Sequence, residues 1–354
     1  MSSQRTAGPA DAAGLATDDA AWDEFVARAP NGAYPQLSAW AEVKAATGWR
    51  AERVLVGDPS ARVGAQLLLH DIGPTPWQLA YAPRGPIADR LDAQAAETFT
   101  GTMRELARGR RLSHVAVDPQ VEAGDVFESH LRAAGWRPAA PIQPDRTRLL
   151  DLAAGEEALW GDLRKKWRQY VTKARRSGVV VVERGHEGLD DFYDIYVETA
   201  RRAGFVHRAR AAYAAVYEAY ARRGAARLLF ARLADGSPGA ALLLLHCGPT
   251  VIEPYGGMTR AGAESRANYL LKWEAIRSSQ AAGFERYDMW GLSHPGIEHF
   301  KAGFGGREVR WTGTWELVLD PLVRGAVGAA QRLRVLVARR RQGVRGASGG
   351  MDAA

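Results

Sequence analysis

The chain has 354 residues, 46% of them hydrophobic, with 47 Lys and Arg against 40 Asp and Glu for a formal net charge of +7. At about 100–200 residues per domain, that length suggests two domains with sizeable cores. No run approaches the ~20 apolar residues of a membrane helix and the first residues lack the apolar core of a secretory signal, so a cytoplasmic protein is expected.

Residues 1–17 are rich in Ala, Gly, Ser and Thr, too poor in apolar side chains to order themselves, and 343–354 repeat that composition. Both ends are expected to be disordered. Asp18 and Asp19 suit a helix N-terminus and give a first helix up to residue 29. A second, 36–47, carries Leu37, Trp40, Val43 and Lys44 before Gly48 stops it. Strands at 53–56, 63–70 and 78–81, a helix at 93–108, a strand at 113–117, a helix at 126–134 and a strand at 146–152 complete a mixed α/β unit over 18–150.

A second unit, 151–320, opens with a helix at 163–176 and the β-branched run 179–182. Helices follow at 189–203 and 211–223, strands at 227–233, 240–246 and 251–255, a helix at 264–282, and strands at 286–290 and 308–319. The single cysteine, Cys247, can form neither an intramolecular disulfide nor a thiolate cluster, and beside Leu244, Leu245 and His246 it reads as a buried, inert strand residue. Each unit runs helices, an antiparallel meander, a helix, a strand and a return strand. Two such domains side by side leave a cleft between them, a common place for a substrate.

The charge is unevenly spread. Arg164, Lys165, Lys166, Arg168, Lys173, Arg175 and Arg176 fall together with no acid among them, a density that attracts phosphates or an anionic surface, or simply faces water. From Leu322 to Arg345 there is again no acid, and Arg324, Arg332, Arg334 and Arg339 interleave with Val327, Leu333, Leu336 and Val337. A basic amphipathic helix over 321–342, packing on the first unit, is the expectation.

The stretch Gly296-Ile297-Glu298-His299-Phe300-Lys301-Ala302-Gly303-Phe304-Gly305-Gly306 sets a lysine between two phenylalanines and before a glycine-rich turn. Its cation can meet a substrate oxygen that becomes negative, and its glycines permit positive φ and close backbone approach. A buried Phe pair with a solvated Lys is the other reading. Rival chemistries lack their residues: no Gly-x-Ser-x-Gly, no P-loop and no His-Glu-x-x-His are present. Neither a metal nor a cofactor is expected. Lys, Arg, Tyr and Asp remain, a set suited to positioning an activated acyl group and stabilising its oxyanion. The acetyl-CoA pattern Gln/Arg-x-x-Gly-x-Gly/Ala occurs only at Arg5 to Ala10, in the expected disordered end and with Pro9 inside it, which counts against CoA. An aminoacyl ester on RNA is the other donor that a basic groove would recognise.

Trp40-Ala41-Glu42-Val43-Lys44, Tyr81-Ala82-Pro83-Arg84-Gly85-Pro86, Val117-Asp118-Pro119, Glu198-Thr199-Ala200-Arg201-Arg202-Ala203-Gly204-Phe205, Tyr255-Gly256-Gly257, Tyr269-Leu270-Leu271-Lys272-Trp273 and Phe300-Lys301-Ala302-Gly303-Phe304-Gly305-Gly306 occur in that order. In this the chain resembles the FemABX family, the aminoacyl-tRNA-dependent peptidyltransferases of peptidoglycan bridge synthesis, from near Tyr34 to Pro321. The resemblance implies two acetyltransferase-like (GNAT-like) domains, a monomer, aminoacyl-tRNA as donor and a cytoplasmic peptidoglycan precursor as acceptor, either UDP-MurNAc-pentapeptide or its lipid-linked form. By motif, Lys44, Arg208 and Tyr255 match the family's precursor contacts, Lys301 its lysine at the reacting aminoacyl group, and Asp118 a candidate general base. Arg84 matches too, with a loop-holding role equally open.

This chain departs from the family in two places. Ala212 stands where relatives often carry a tyrosine, leaving Tyr213 to substitute from one register over, and Ala203 replaces the usual acid before Gly-Phe. No long helical hairpin is expected between the domains, so tRNA would meet the surface of the 163–176 helix, at Arg164, Lys165, Lys166 and Arg168. The C-terminal basic helix would allow peripheral contact with the inner leaflet of the plasma membrane. Two other functions fit the same residues: acyl transfer to a small metabolite on this fold, and RNA binding without catalysis.

Overall fold

The computed structural model describes residues 14–15, 18–292 and 295–330. Apart from 14–15, the two ends expected to be disordered lie outside the described residues, as does the expected C-terminal helix beyond 330, while 321–330 is helical. The first half runs β1 (Gly14–Leu15), α1 (Asp19–Arg28), α2 (Ser38–Ala45), β2 (Arg50–Val56), β3 (Val63–Asp71), β4 (Gln78–Ala82), β5 (Ile87–Ala88), α3 (Ala93–Gly109), β6 (Leu112–Val117), α4 (Phe127–Ala133) and β7 (Arg137–Pro138). The second begins β8 (Arg146–Asp151), α5 (Glu156–Asp162), α6 (Lys165–Arg176), β9 (Val180–Arg184), α7 (Leu189–Ala203) and α8 (Arg210–Ala221). It continues β10 (Ala226–Arg232), β11 (Pro238–Cys247), β12 (Thr250–Met258), α9 (Arg260–Glu264), α10 (Ala267–Ala281), β13 (Arg286–Asp288), α11 (Pro295–Ala302), β14 (Arg307–Arg310) and β15 (Trp315–Val318).

Local chemistry sets several boundaries. Asp18 caps α1 by accepting from the Ala21 amide at 2.7 Å, and Asp92 caps α3 through the Ala95 amide at 3.0 Å. Gly204 ends α7 at φ 72°, the left-handed turn that glycine tolerates best.

Two mixed sheets form, ordered β1-β2-β3-β4-β6-β15-β7, with β5 on β3, and β14-β8-β13-β12-β11-β10-β9. In each, an antiparallel meander leads through a helix to a strand parallel to the meander's last: β6 beside β4, and β13 beside β12. The kinship of the halves is therefore present in the pairing.

The strand assignments at the unit boundaries need correction. The strand expected at 146–152 in the first unit is β8, which pairs with β13 and β14 of the second sheet. The strand expected at 308–319 is two: β14 stays in the second sheet, while β15 returns to the first between β6 and β7. Gly313, at φ 79°, lies between them, and Trp315 and Leu317 then bury themselves in the first unit's core.

Side-chain alternation along the strands divides the interior. In β11, Ala241, Leu243 and Leu245 face a core shared with α1, α2, α7 and α8, whereas Ala240, Leu242 and Leu244 face α6 and α10. The shared core also takes Leu68, Tyr81 and Ala116 from the first sheet, so the helices α1, α2, α7 and α8 bind the two halves together. Tyr220 reinforces the union by donating to the Tyr34 carbonyl at 2.6 Å. No helix among the described residues is long and apolar enough to cross a membrane.

Two further elements differ from the sequence expectation. The helix expected at 264–282 is broken at Arg266, which takes φ 63° between α9 and α10. The lysine stretch, given no helix in the elements expected above, forms helix α11 up to Ala302, and the turn begins only at Gly303.

Candidate active site

The parallel pair β4 and β6 ends with Ala82 beside Val117, so Pro83-Arg84-Gly85-Pro86 and Asp118 leave the sheet together. Asp118 is 2% exposed and accepts from the Tyr81 hydroxyl at 2.7 Å and from the Arg84 amide. Burial pushes its carboxyl pKa up, and the Arg84 charge opposes that shift. Asn31 donates to the Pro86 carbonyl at 2.8 Å and Gln36 to the Pro83 carbonyl at 2.7 Å. Arg84 sits at φ 59°, a strain of about 1–3 kcal/mol that these bonds, at about 0.5–1.5 kcal/mol each, can offset. Its guanidinium donates to the Pro144 carbonyl at 2.8 Å and lies 5.0 Å from the Trp290 ring centre, while its buried Nε has no partner among the described residues. Asp118 is therefore an anchor for this loop, its carboxylate committed inside the fold.

The second parallel pair opens in the same way. β13 stops at Asp288 beside Ile252 while β12 continues to Met258, and Met289-Trp290-Gly291 diverges from it. Lys301, in the last turn of α11, donates to the carbonyls of all three residues, at 2.6, 3.0 and 2.9 Å. All three ammonium protons are thus engaged. Burial pushes this pKa down to about 8, with Glu253 and Asp288 acting upward and Lys272 downward. Behind it, buried Lys272 pairs with Glu253, which also accepts from the Tyr287 hydroxyl at 2.8 Å. Asp288 accepts from the Thr147 hydroxyl and, at 2.7 Å, from the Trp290 amide, fixing Trp290 at φ 58°.

The glycines after Lys301 serve packing. A Cβ at Gly303 would lie 2.2 Å from Trp167 Cε2, and one at Gly305 would lie 2.6 Å from Asp162 Oδ2. Gly303 also accepts from the Arg164 amide at 2.9 Å, closing the turn onto the start of α6.

Lys44 at the other end of the site feels the charge of Arg208. The Lys44 ammonium lies 5.9 Å from the Trp40 ring and 5.5 Å from the Trp49 ring, and its pKa is lowered by burial and then by Arg208. Among the described residues neither cation has a carboxylate partner. Tyr213, expected as a substitute in the neighbouring register, accepts from the Arg208 amide at 3.1 Å and packs edge-on to Tyr255 at 5.2 Å. Burial raises the Tyr255 pKa, opposed by Arg208.

Tyr34 joins the two ends. Its ring packs on Trp290 at 5.7 Å and on Trp40 at 5.6 Å, and its buried phenol is raised well above the usual range by burial and by Tyr255, with Arg84 and Arg208 opposing. Lys44, Arg208, Tyr213 and Tyr255 are thereby connected through Tyr34 and Trp290 to Arg84, Asp118 and Lys301. The sequence reading did not single out Tyr34, Trp290 or Asp288. The available signals were an aromatic residue before Pro35 and an Asp-x-Trp-Gly run at a strand end. Cys247 is 6% exposed and its thiol is pushed up to about 12, which keeps it protonated at neutral pH.

The basic helix packs on α11, Trp167 Nε1 donating to the Phe300 carbonyl at 3.0 Å. Lys165 and Lys166 are exposed, and Lys165, Arg168, Lys173 and Arg176 line an open groove with Trp160. Arg168 Nη1 is largely occupied, donating to the carbonyls of Trp160, Gly161 and Leu163 around the end of α5. Arg164 lies over Trp167 at 5.7 Å.

Residues 161–302 match the acetyltransferase (GNAT) domain family and residues 17–134 the FemAB family. The chain is 31% identical over 226 residues to the lipid II:glycine glycyltransferase of Staphylococcus saprophyticus subsp. saprophyticus, covering 61% of this chain and 54% of that protein. It is 30% identical over 222 residues to the Staphylococcus aureus protein of the same name, covering 60% and 53%. The chain thus spans about half the length of the curated relatives it matches. Among solved structures it resembles the crystal structure of FemX, with a TM-score of 0.82 at 21% identity over 88% of this chain and 98% of that one. A tandem GNAT protein from the clavulanic acid biosynthesis pathway matches at TM-score 0.51 and 16% identity, over 85% and 94%.

Proposed function

We propose that this chain, a member of the FemABX family, moves an amino acid from aminoacyl-tRNA to the amine of the third stem residue of a peptidoglycan precursor. The observation that carries this reading is the pair Lys44 and Arg208, two cations from different halves of the chain, near enough for Arg208 to lower the Lys44 pKa and neither with a carboxylate partner among the described residues. Like charges held together without counter-charge suit a ligand bearing adjacent phosphates, as a nucleotide sugar or a lipid-linked diphosphate does. The relatives' name, lipid II:glycine glycyltransferase, supports an acceptor of that class.

In the reaction, the neutral stem amine attacks the ester carbonyl, a C–N bond forms, and the tetrahedral oxyanion collapses with loss of the tRNA ribose hydroxyl. The amine proton leaves through substrate or water, because Asp118 is committed to Tyr81 and Arg84. Lys301 first holds the Met289–Gly291 carbonyls. An ammonium held by neutral carbonyls can exchange one of them for an oxyanion, a stronger acceptor, as the charge appears. Trp290, fixed by Lys301 and Asp288, carries the Arg84 guanidinium on its face and so couples the two loops.

The basic face of α6 is the proposed donor surface. Membrane contact is proposed for the C-terminal arginines other than Arg324, which instead fastens its helix to the first sheet by donating to Glu316 at 2.6 Å. The test is incubation of the protein with radiolabelled charged tRNA and either UDP-MurNAc-pentapeptide or lipid II. Label moving to one of these acceptors is the expected result; label moving only to small amines, or none moving, refutes the reading.

A further inference from the structure

Behind the Met289–Gly291 loop lies a buried ion pair that the reaction above does not use. Lys272 of α10, 2% exposed, meets Glu253 of β12, 7% exposed, and the fully buried Tyr287 of β13 donates its hydroxyl to the same carboxylate at 2.8 Å. The Lys272 ammonium also lies 5.8 Å from the ring centre of Phe300, the residue before Lys301. Three elements of the second unit thus converge on one carboxylate, and a fourth, α11, touches the pair through Phe300.

Stability by itself is a poor reason for such a pair. Taking two charges out of water is costly, and apolar residues of similar volume often serve a core as well or better. The charges around the pair show what it acts on. Lys301 is faced by Glu253 from β12, Lys272 from α10 and Asp288 from β13. On its own helix Glu298 is drawn to Arg146 at 3.3 Å, and His299 Nδ1 lies 3.4 Å from Arg164 Nη1. Asp288 is itself occupied by the Thr147 hydroxyl and the Trp290 amide. Against the burial that favours a neutral Lys301, Glu253 is the strongest opposing charge, and Lys272 tempers it. Without that carboxylate only Asp288 opposes the desolvation of an ammonium seated on neutral carbonyls.

We propose that Glu253 and Lys272 are positioning residues for Lys301: their pair, fixed by Tyr287, sets a carboxylate near Lys301 that keeps its ammonium charged and seated on the loop carbonyls. The inference rests on the role given to Lys301 in the proposed function. The charge of Lys301 is nevertheless measurable without donor or acceptor.

The lysines of the chain are Lys44, Lys165, Lys166, Lys173, Lys272 and Lys301, few enough for their side-chain NMR signals to be followed separately in protein carrying isotope-labelled lysine. The Lys301 signal is identified by its loss in Lys301→Met, and its titration midpoint is then read in the wild type and two variants. Lys272→Met keeps the stem and removes the tempering charge, so the midpoint should rise. Glu253→Gln combined with Lys272→Met replaces the pair by neutral groups of similar shape, keeps an acceptor for Tyr287 and should fold with little loss of stability. Its midpoint should fall by about one pH unit, the lower end of what a neighbouring charge does. The alkaline limb of the pH–rate profile for label transfer should move with it, with the acceptor KM unchanged.

A pair that served packing alone would leave the midpoint in place. An unmoved midpoint in either folded variant, or shifts of the same sign in both, would overturn the inference. Midpoints that move as expected in a protein that transfers no label would uphold this assignment and refute the proposed function; unmoved midpoints with label transferred would do the reverse.

Discussion

Lys301 Nζ lies 3.0 Å from the carbonyl oxygen of Trp290, and that bond ties the end of α11 to a residue packed on both Tyr34 and Arg84. The lysine thus fixes the loop that holds these aromatic and cationic groups together.

Replacing Lys301 by Met leaves three carbonyls without their donor and removes the charge from the oxyanion. Turnover should fall at least about 100-fold, the scale of a lost oxyanion donor. Precursor binding, proposed at Lys44 and Arg208, should change far less. Single-turnover rates alongside equilibrium binding of UDP-MurNAc-pentapeptide measure both, and equal losses would assign Lys301 a purely structural role.

The Lys301 pKa, pushed down to about 8 from 10.5, makes stability and activity diverge with pH. Below about 8 the lysine is protonated in both states, and burial of the ammonium weighs fully on the folded one. Between about 8 and 10.5 the unfolded chain binds the extra proton, so this group's contribution to stability rises with pH. Turnover should fall over the same range, since a neutral amine has only two protons for three carbonyls. Urea unfolding of wild type against Lys301→Met, from about pH 7.5 to 10, isolates the first trend, and pH–rate profiles the second.

Lys44→Ala and Arg208→Ala should each weaken precursor binding about 10–100-fold, the value of a charge-assisted hydrogen bond. Thermal stability should hold or rise slightly, because each substitution removes one of two like charges. A double-mutant cycle on binding should show coupling. Equal binding by wild type and both variants would move the acceptor's phosphates elsewhere.

Gly303→Ala places a methyl 2.2 Å from the Trp167 ring, and overpacking of this kind costs about 1–3 kcal/mol. Gly296→Ala, at the start of α11 with nothing within 4 Å of the added Cβ, should be neutral or mildly stabilising. Thermal melting of the two variants distinguishes tight packing at the turn from a general need for glycine.

Asp118→Asn should lower stability and activity together by loosening the Pro83–Pro86 loop, with the shape of the pH–rate profile unchanged. A general base would instead take one limb of the profile with it. The profile therefore decides between anchor and base.

Much of the fold was legible because periodicity and turn residues are local. The two meanders, α3, α6, α7 and α10 follow from apolar spacing, and the pseudo-repeat of the halves reappears in the parallel pairs β4–β6 and β12–β13. The strand at 146–152 was assigned to the wrong sheet because Leu149 and Leu150 suit either core equally. Only pairing with β13 and β14 decides between them. The break at Arg266 escaped for a related reason: an arginine at φ 63° is held there by its surroundings and carries no glycine to announce it.

The site divides along the same line. By itself the sequence determined the residue types able to do the chemistry, their order, and a cation-rich, acid-free α6, since motifs and charge runs are written along the chain. Only the tertiary structure decided that Arg208 acts on Lys44 with no carboxylate partner for either among the described residues, that Asp118 is buried beneath Arg84, and that Lys301 is bound to three carbonyls. Those properties depend on which groups the fold brings within hydrogen-bond distance and which it removes from water, and neither is encoded in local spacing.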